Sequence, residues 1–180
     1  WAAFNILGGG MIGDKPYTYY QEYARGFDQS NRMPLYVKPA KKLTVKDVAD
    51  VMRDHFDGTV LDMTQDIGAG GHSLPYRWRP MTFEVDSVKY VNERAIATQQ
   101  TGYWMLGQAR SWLPDEIGGI LWFGVDDAST SALTPIYTGS LRVPECFRQG
   151  NGNMTTYSPT SAFWVFNRVS NFAYLRYDLV

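Results

Sequence analysis

One cysteine, two histidines and no apolar run of bilayer length are what this 180-residue chain conspicuously lacks. The lone Cys146 excludes an internal disulfide framework and a thiolate metal cluster, and it leaves the redox compartment, and so the localisation, open. Crossing a membrane takes roughly 20 consecutive apolar residues, and no run approaches that, so no membrane partner is expected. The opening Trp-Ala-Ala-Phe-Asn has none of the pattern of a signal peptide. An excess of one charge is missing too: 17 basic and 18 acidic residues give a net charge of -1. They are spread along the sequence, with no basic stripe for a phosphate backbone, so nucleic acid is not an expected partner. Internal repeats and low-complexity tracts are also absent from the sequence, which speaks against solenoids and propellers.

What is present suffices for one core, since 44% of residues are hydrophobic and 15% aromatic in a length typical of a single domain. The clearest local signal spans residues 44 to 58. Thr44 stands as N-cap with Asp47 three residues on, Val45, Val48, Ala49, Met52 and Phe56 follow at helical spacing, and Gly58 ends the run. Lys46, Asp50, Arg53 and Asp54 fall on the expected solvent side. The texture then turns to short β-rich runs at Met81 to Val85, Ala95 to Gln100, Tyr103 to Trp112 and Gly119 to Phe123, which read as a largely antiparallel sheet. The run from Gly119 to Gly124 has no polar member, so cover on both faces is expected. Loops are expected from Gly139 to Tyr157. Ser158 and Pro159 then open a helix whose apolar side runs from Phe163 to Tyr174.

The stretch from Asn92 to Gly139 carries the most specific motifs: Asn-Glu-Arg-Ala-Ile-Ala-Thr-Gln-Gln-Thr-Gly, Leu-Pro-Asp-Glu-Ile-Gly-Gly-Ile-Leu-Trp-Phe-Gly-Val-Asp-Asp and Thr-Pro-Ile-Tyr-Thr-Gly. With Leu35 to Asp54, Asp62 to Gly70 and Tyr76 to Pro80 in the same order, it resembles the PepD-type cysteine dipeptidases, a branch of the N-terminal-nucleophile (Ntn) amide hydrolases. The resemblance implies an α+β fold, a four-layer αββα sandwich, and hydrolysis of small peptide substrates with no cofactor. It also implies a mature N-terminal cysteine that attacks the amide carbonyl while its own α-amine moves the proton. Trp1 has no thiol and Cys146 lies mid-chain, where it reads as a structural residue. The expectation is therefore a single downstream portion of a longer domain, inactive alone, with the nucleophile upstream. Missing strands would leave apolar surface open, so homo-oligomers or association through an exposed sheet are expected. A β-rich carbohydrate- or peptide-binding module and a related N-acyl amidase are the alternatives.

Related amidases hold an arginine beside the thiol, and the Glu-Arg-Ala-Ile-Ala segment resembles the strand that delivers it, which makes Arg94 the candidate catalytic residue. Its plain alternative is an arginine ion-paired to Glu93 or Asp126. Asn92, two residues away on the same face, Gln99 and Asp126 are the candidate substrate-binding residues. For Gln99 the alternative is cross-strand hydrogen bonding. For Asp126 and Asp127 it is a turn in which the aspartate bonds its own backbone. No metal is expected, because no third carboxylate stands at calcium-loop spacing and His55 and His72 read as surface or capping residues. The Gly68 to Ser73 loop reads as a tight turn, and Tyr76-Arg77-Trp78 as packing.

Overall fold

The computed structural model describes residues 1–77, 82–91 and 94–180. In chain order, α1 (Ala2–Leu7) leads to the hairpin β1 (Met11–Ile12) and β2 (Lys15–Pro16), then α2 (Gln21–Ala24) and α3 (Val45–Met52). A second hairpin, β3 (Thr82–Val85) and β4 (Val88–Val91), precedes β5 (Tyr103–Ala109), α4 (Asp115–Gly118), β6 (Gly119–Val125), β7 (Thr134–Tyr137) and α5 (Ala162–Leu175). Helices and small antiparallel sheets are combined, as an α+β class requires, and the largest sheet has the order β5-β6-β7.

The expected cap of α3 is present. The Asp47 N–H donates to the Thr44 hydroxyl at 3.2 Å and the Thr44 N–H donates back to the Asp47 carboxylate at 2.8 Å. Each bond satisfies a backbone group that the first turn leaves open. The helix stops at Arg53, however, well short of Gly58. Its exit is diverted by a long-range bond in which Ala97 N–H donates to the Asp54 carbonyl at 3.1 Å. Phe56 therefore leaves the helical face and takes a left-handed φ of 64°. Arg53 is not on the solvent side either: its guanidinium reaches the carbonyls of Ala128 and Ser131 at 2.9 and 3.2 Å and lies 5.0 Å from the Trp104 ring centre.

That arginine covers the core, where Ala49, Trp104 and Ala128 pack with Met52, Leu106 and Leu133. Strand alternation delivers Trp104 and Leu106 to this side while Tyr103 and Met105 face outward. Opposite Trp104 stands Gly124, where a β-carbon would come within 2.4 Å of the indole nitrogen, so the close approach needs glycine. The expected cover on both faces of β6 is incomplete: Ile120 is buried, but Leu121 stays 37% exposed.

Two further expectations change. Residues 94–100 are not a strand; their backbone is irregular and ends in a turn in which Thr101 N–H donates to Thr98 C=O at 3.0 Å. Ala95 and Ala97 are buried, Ala97 through its bond to the exit of α3, so this segment pairs with a helix end instead of a neighbouring strand. The final helix starts at Ala162 with Ser161 as its N-cap residue, not at Pro159. Of its apolar side only Ser170 and Ala173 are buried with Ala162, and Phe172 remains 65% exposed. The β3–β4 hairpin turns through Asp86 and Ser87, both at positive φ, which matches the twist of paired strands. The Gly68 to Ser73 segment, expected as a tight turn, is instead largely a 3-10 helix, Ile67–His72, kinked at Gly70 with φ 64°, and Arg77 packs on Gly68 and pairs with Asp66. Trp78 and Met81 lie outside the described residues.

Candidate functional site

Arg94 follows the second hairpin and reaches an open cleft of about 480 Å³. The cleft's walls mix apolar and polar surface, with Tyr23, Met33, Phe56, Leu61 and Ile96 beside Gln29, and Trp1 to Ala3 line it as well. Among the described lining residues Arg94 has the one charged side chain. Of the two carboxylates expected as its partner, Asp126 is bound by Asp127 and Asn167 instead, and Glu93 lies outside the described residues. Among the described residues its hydrogen bond goes to the neutral Gln100 side-chain oxygen at 3.1 Å, which also accepts from the Thr98 hydroxyl at 3.0 Å. An exposed guanidinium held by a neutral acceptor keeps its full charge available to an anion or a developing oxyanion.

The other candidates are not gathered here. Asn92, like Glu93, lies outside the described residues. Gln99 and Gln100 are the central pair of the Thr98 turn, and the Gln99 side-chain oxygen is buried with no protein donor among the described residues. Asp126 sits at the end of β6 with φ 68°, buried, and both its oxygens are engaged. One accepts the Asp127 N–H and the other the Asn167 amide of α5, each at 2.8 Å. The turn alternative thus describes its contacts well.

Asp127 has no exposed surface and binds the Tyr174 hydroxyl and the Ser129 N–H, the latter at 3.1 Å. Burial, and then the adjacent Asp127 charge, push the Tyr174 phenol well above the ordinary tyrosine range. Burial followed by the charges of Asp57, Asp127 and Asp62 raises Tyr177 as well. Trp104 N–H donates to Ser131, whose hydroxyl donates to the Asp127 carbonyl at 2.7 Å, so the polar cluster runs into the core.

His55 corrects its surface assignment. It is 2% exposed, its ring meets Tyr177 edge-on at 6.0 Å, and its Nε2 has no hydrogen-bond partner among the described residues. A histidine just past a capped helix gives no local sign of this, because Tyr177 comes from the far end of the chain. His72 is exposed, 3.6 Å from Asp178. Cys146 is half-buried and unpaired. Among the described residues no three acidic, histidine or cysteine side chains form a metal cluster, and no helix is long and apolar enough to cross a membrane. Phe56, Met33 and Leu61 are the cleft residues that sequence reading missed; apolar residues scattered over three segments leave no pattern to find.

Comparison with known proteins agrees with the motif order. The chain is 25% identical over 183 aligned positions to a protein of Lactococcus lactis subsp. lactis (strain IL1403) described as "Probable dipeptidase B". The alignment covers 97% of this chain but 34% of that relative's length, so the chain spans about a third of it. No solved structure matches. The family model described as "Peptidase family C69" matches residues 1–180, and the chain belongs to that family.

Proposed function

We propose that this chain forms the substrate-facing part of a dipeptidase, a cysteine-type hydrolase of short peptides, with Arg94 as the cation of its active site. The observation that carries the reading is the guanidinium at the edge of an open cleft, hydrogen-bonded to the neutral amide oxygen of Gln100. In the proposed reaction a thiolate from outside this chain adds to the peptide carbonyl, and the oxygen takes up negative charge facing Arg94. Collapse of that adduct expels the amine, which takes a proton, and leaves a thioester that water hydrolyses. The α-amine of an N-terminal cysteine suits the proton transfers, because its ordinary pKa of roughly 7.7 to 8.0 lies near neutrality. A positive charge nearby lowers the thiol pKa and so raises the thiolate fraction.

The reading includes the four-layer αββα arrangement. In it the β5-β6-β7 sheet supplies one layer, with the part-exposed Leu121 and the outer side of α5 meeting the rest of a longer domain. Apolar surface left open in this way also leads to association of the chain with itself.

The test joins this chain to N-terminal sequence that supplies a cysteine able to become the first residue. Dipeptide hydrolysis that a thiol reagent abolishes, and that Arg94→Ala lowers by about 100-fold or more, fits the loss of one oxyanion-stabilising group. Turnover by the 180-residue chain alone, or turnover insensitive to Arg94→Ala, would contradict the proposal.

A further inference from the structure

Phe56 lines the Arg94 cleft from the exit of α3, and its backbone has φ 64°, a region in which a bulky residue is a steric outlier. Three hydrogen bonds hold it there. The Asp54 carboxylate accepts the Phe56 N–H at 3.1 Å, and the Phe56 carbonyl accepts the Thr59 N–H and hydroxyl at 3.1 and 2.7 Å. If the turn needed only a left-handed residue, glycine would meet the need without strain, as Gly58 does two positions on at φ 66°. Strain of this kind is found where a side chain must be presented to a ligand.

The rest of the cleft suggests which ligand. Met33, Leu61 and Ile96 line the cleft together with Phe56, none of its described lining residues is acidic, and Arg94 supplies positive charge at its edge. Its volume of about 480 Å³ falls in the range of small-ligand sites. We propose that Phe56 is the specificity-determining residue of this site. With Met33, Leu61 and Ile96 it receives an apolar or aromatic side chain of a short peptide, while Arg94 turns away peptides that would place lysine or arginine there. The proposal rests on the peptidase reading for its ligand class but concerns selection of the side chain, not cleavage.

The 180-residue chain is titrated with alanyl-phenylalanine and with alanyl-lysine while the methyl NMR signals of Leu61 and Ile96 are followed. Burying an aromatic side chain in this pocket is expected to give at least ~10-fold tighter binding of alanyl-phenylalanine. Phe56→Gly removes both ring and strain, so its melting temperature should hold or rise while the preference shrinks to less than about 3-fold. A purely packing role predicts the opposite, a lower melting temperature with the preference intact. Arg94→Gln, which leaves the turn unaltered, should recover alanyl-lysine binding.

Unmoved Leu61 and Ile96 signals, equal affinities for the two dipeptides, or a preference unaltered in Phe56→Gly would each overturn the inference. Should Phe56→Gly fail to fold, the wild-type affinity ratio and Arg94→Gln decide alone. A longer, thiol-bearing polypeptide that cleaves both dipeptides equally well would sink the selectivity and leave the peptidase reading standing. Selective binding with no cleavage by that polypeptide would do the reverse.

Discussion

The Tyr174 hydroxyl of α5 donates to the carboxylate of Asp127, a residue with no exposed surface. Removing the donor strands a buried acceptor, and that costs more than the net worth of the bond. Tyr174→Phe should lose about 1–3 kcal/mol in urea unfolding at neutral pH.

Burial of this hydroxyl, beside the Asp127 charge, sets an alkaline limit. The folded Tyr174 and Tyr177 phenols are raised above the ordinary value near 10. Between that value and the folded one, the unfolded chain has lost protons that the folded chain retains, so stability falls as pH rises. The contribution is whole below about pH 10 and declines above it. Melting curves from pH 8 to pH 11 should show this loss, and Tyr174→Phe should flatten it. A melting temperature that rises over that range would be the wrong sign.

Arg53 combines two carbonyl bonds with its position over Trp104. Arg53→Ala should cost about 2–3 kcal/mol, and Arg53→Lys should restore less than half, since an ammonium cannot span both carbonyls while covering the ring. Chemical unfolding followed by tryptophan fluorescence measures both.

At Gly124 even one methyl group is too much. A β-carbon would meet the Trp104 indole at 2.4 Å, in a strand fixed on both sides by β5 and β7. Gly124→Ala should destabilise by about 1–3 kcal/mol and weaken the near-ultraviolet circular dichroism of the buried indole.

The cap of α3 offers a test at the surface. Thr44→Ala should cost about 1 kcal/mol at neutral pH. Asp47 titrates well below the usual carboxylate range, held there by Lys41 and then by the Thr44 hydroxyl and N–H. Its contribution is therefore present above about pH 4 and lost as acid protonates it. Asp47→Asn should accordingly lose stability at pH 7, and its difference from wild type should shrink steadily as the pH is lowered from about 5 to 2 without vanishing there.

What could be read from the sequence was local. The Thr44 and Asp47 pair, and the short β-rich runs that form β5 and β6, state their structure within a few residues, and the motif order pointed to the family. What could not be read depends on partners far along the chain. The end of α3 is set by Ala97, the burial of His55 involves Tyr177, and the contacts of Asp126 and Asp127 come from Asn167 and Tyr174. Arg94 was legible as a candidate through its motif, but the cleft it lines also takes in Tyr23, Met33, Phe56 and Leu61, which only the folded chain assembles.

Asn167 and Tyr174 stand seven residues apart on α5, two turns along one side, and they meet the adjacent Asp126 and Asp127. Two polar teeth at this spacing key the helix in both rotation and height: a slip of a single turn would bare two carboxylates in the interior at once. The greasy outer flank carrying Phe172 is thereby aimed in a constant direction, like a plug held square to its socket.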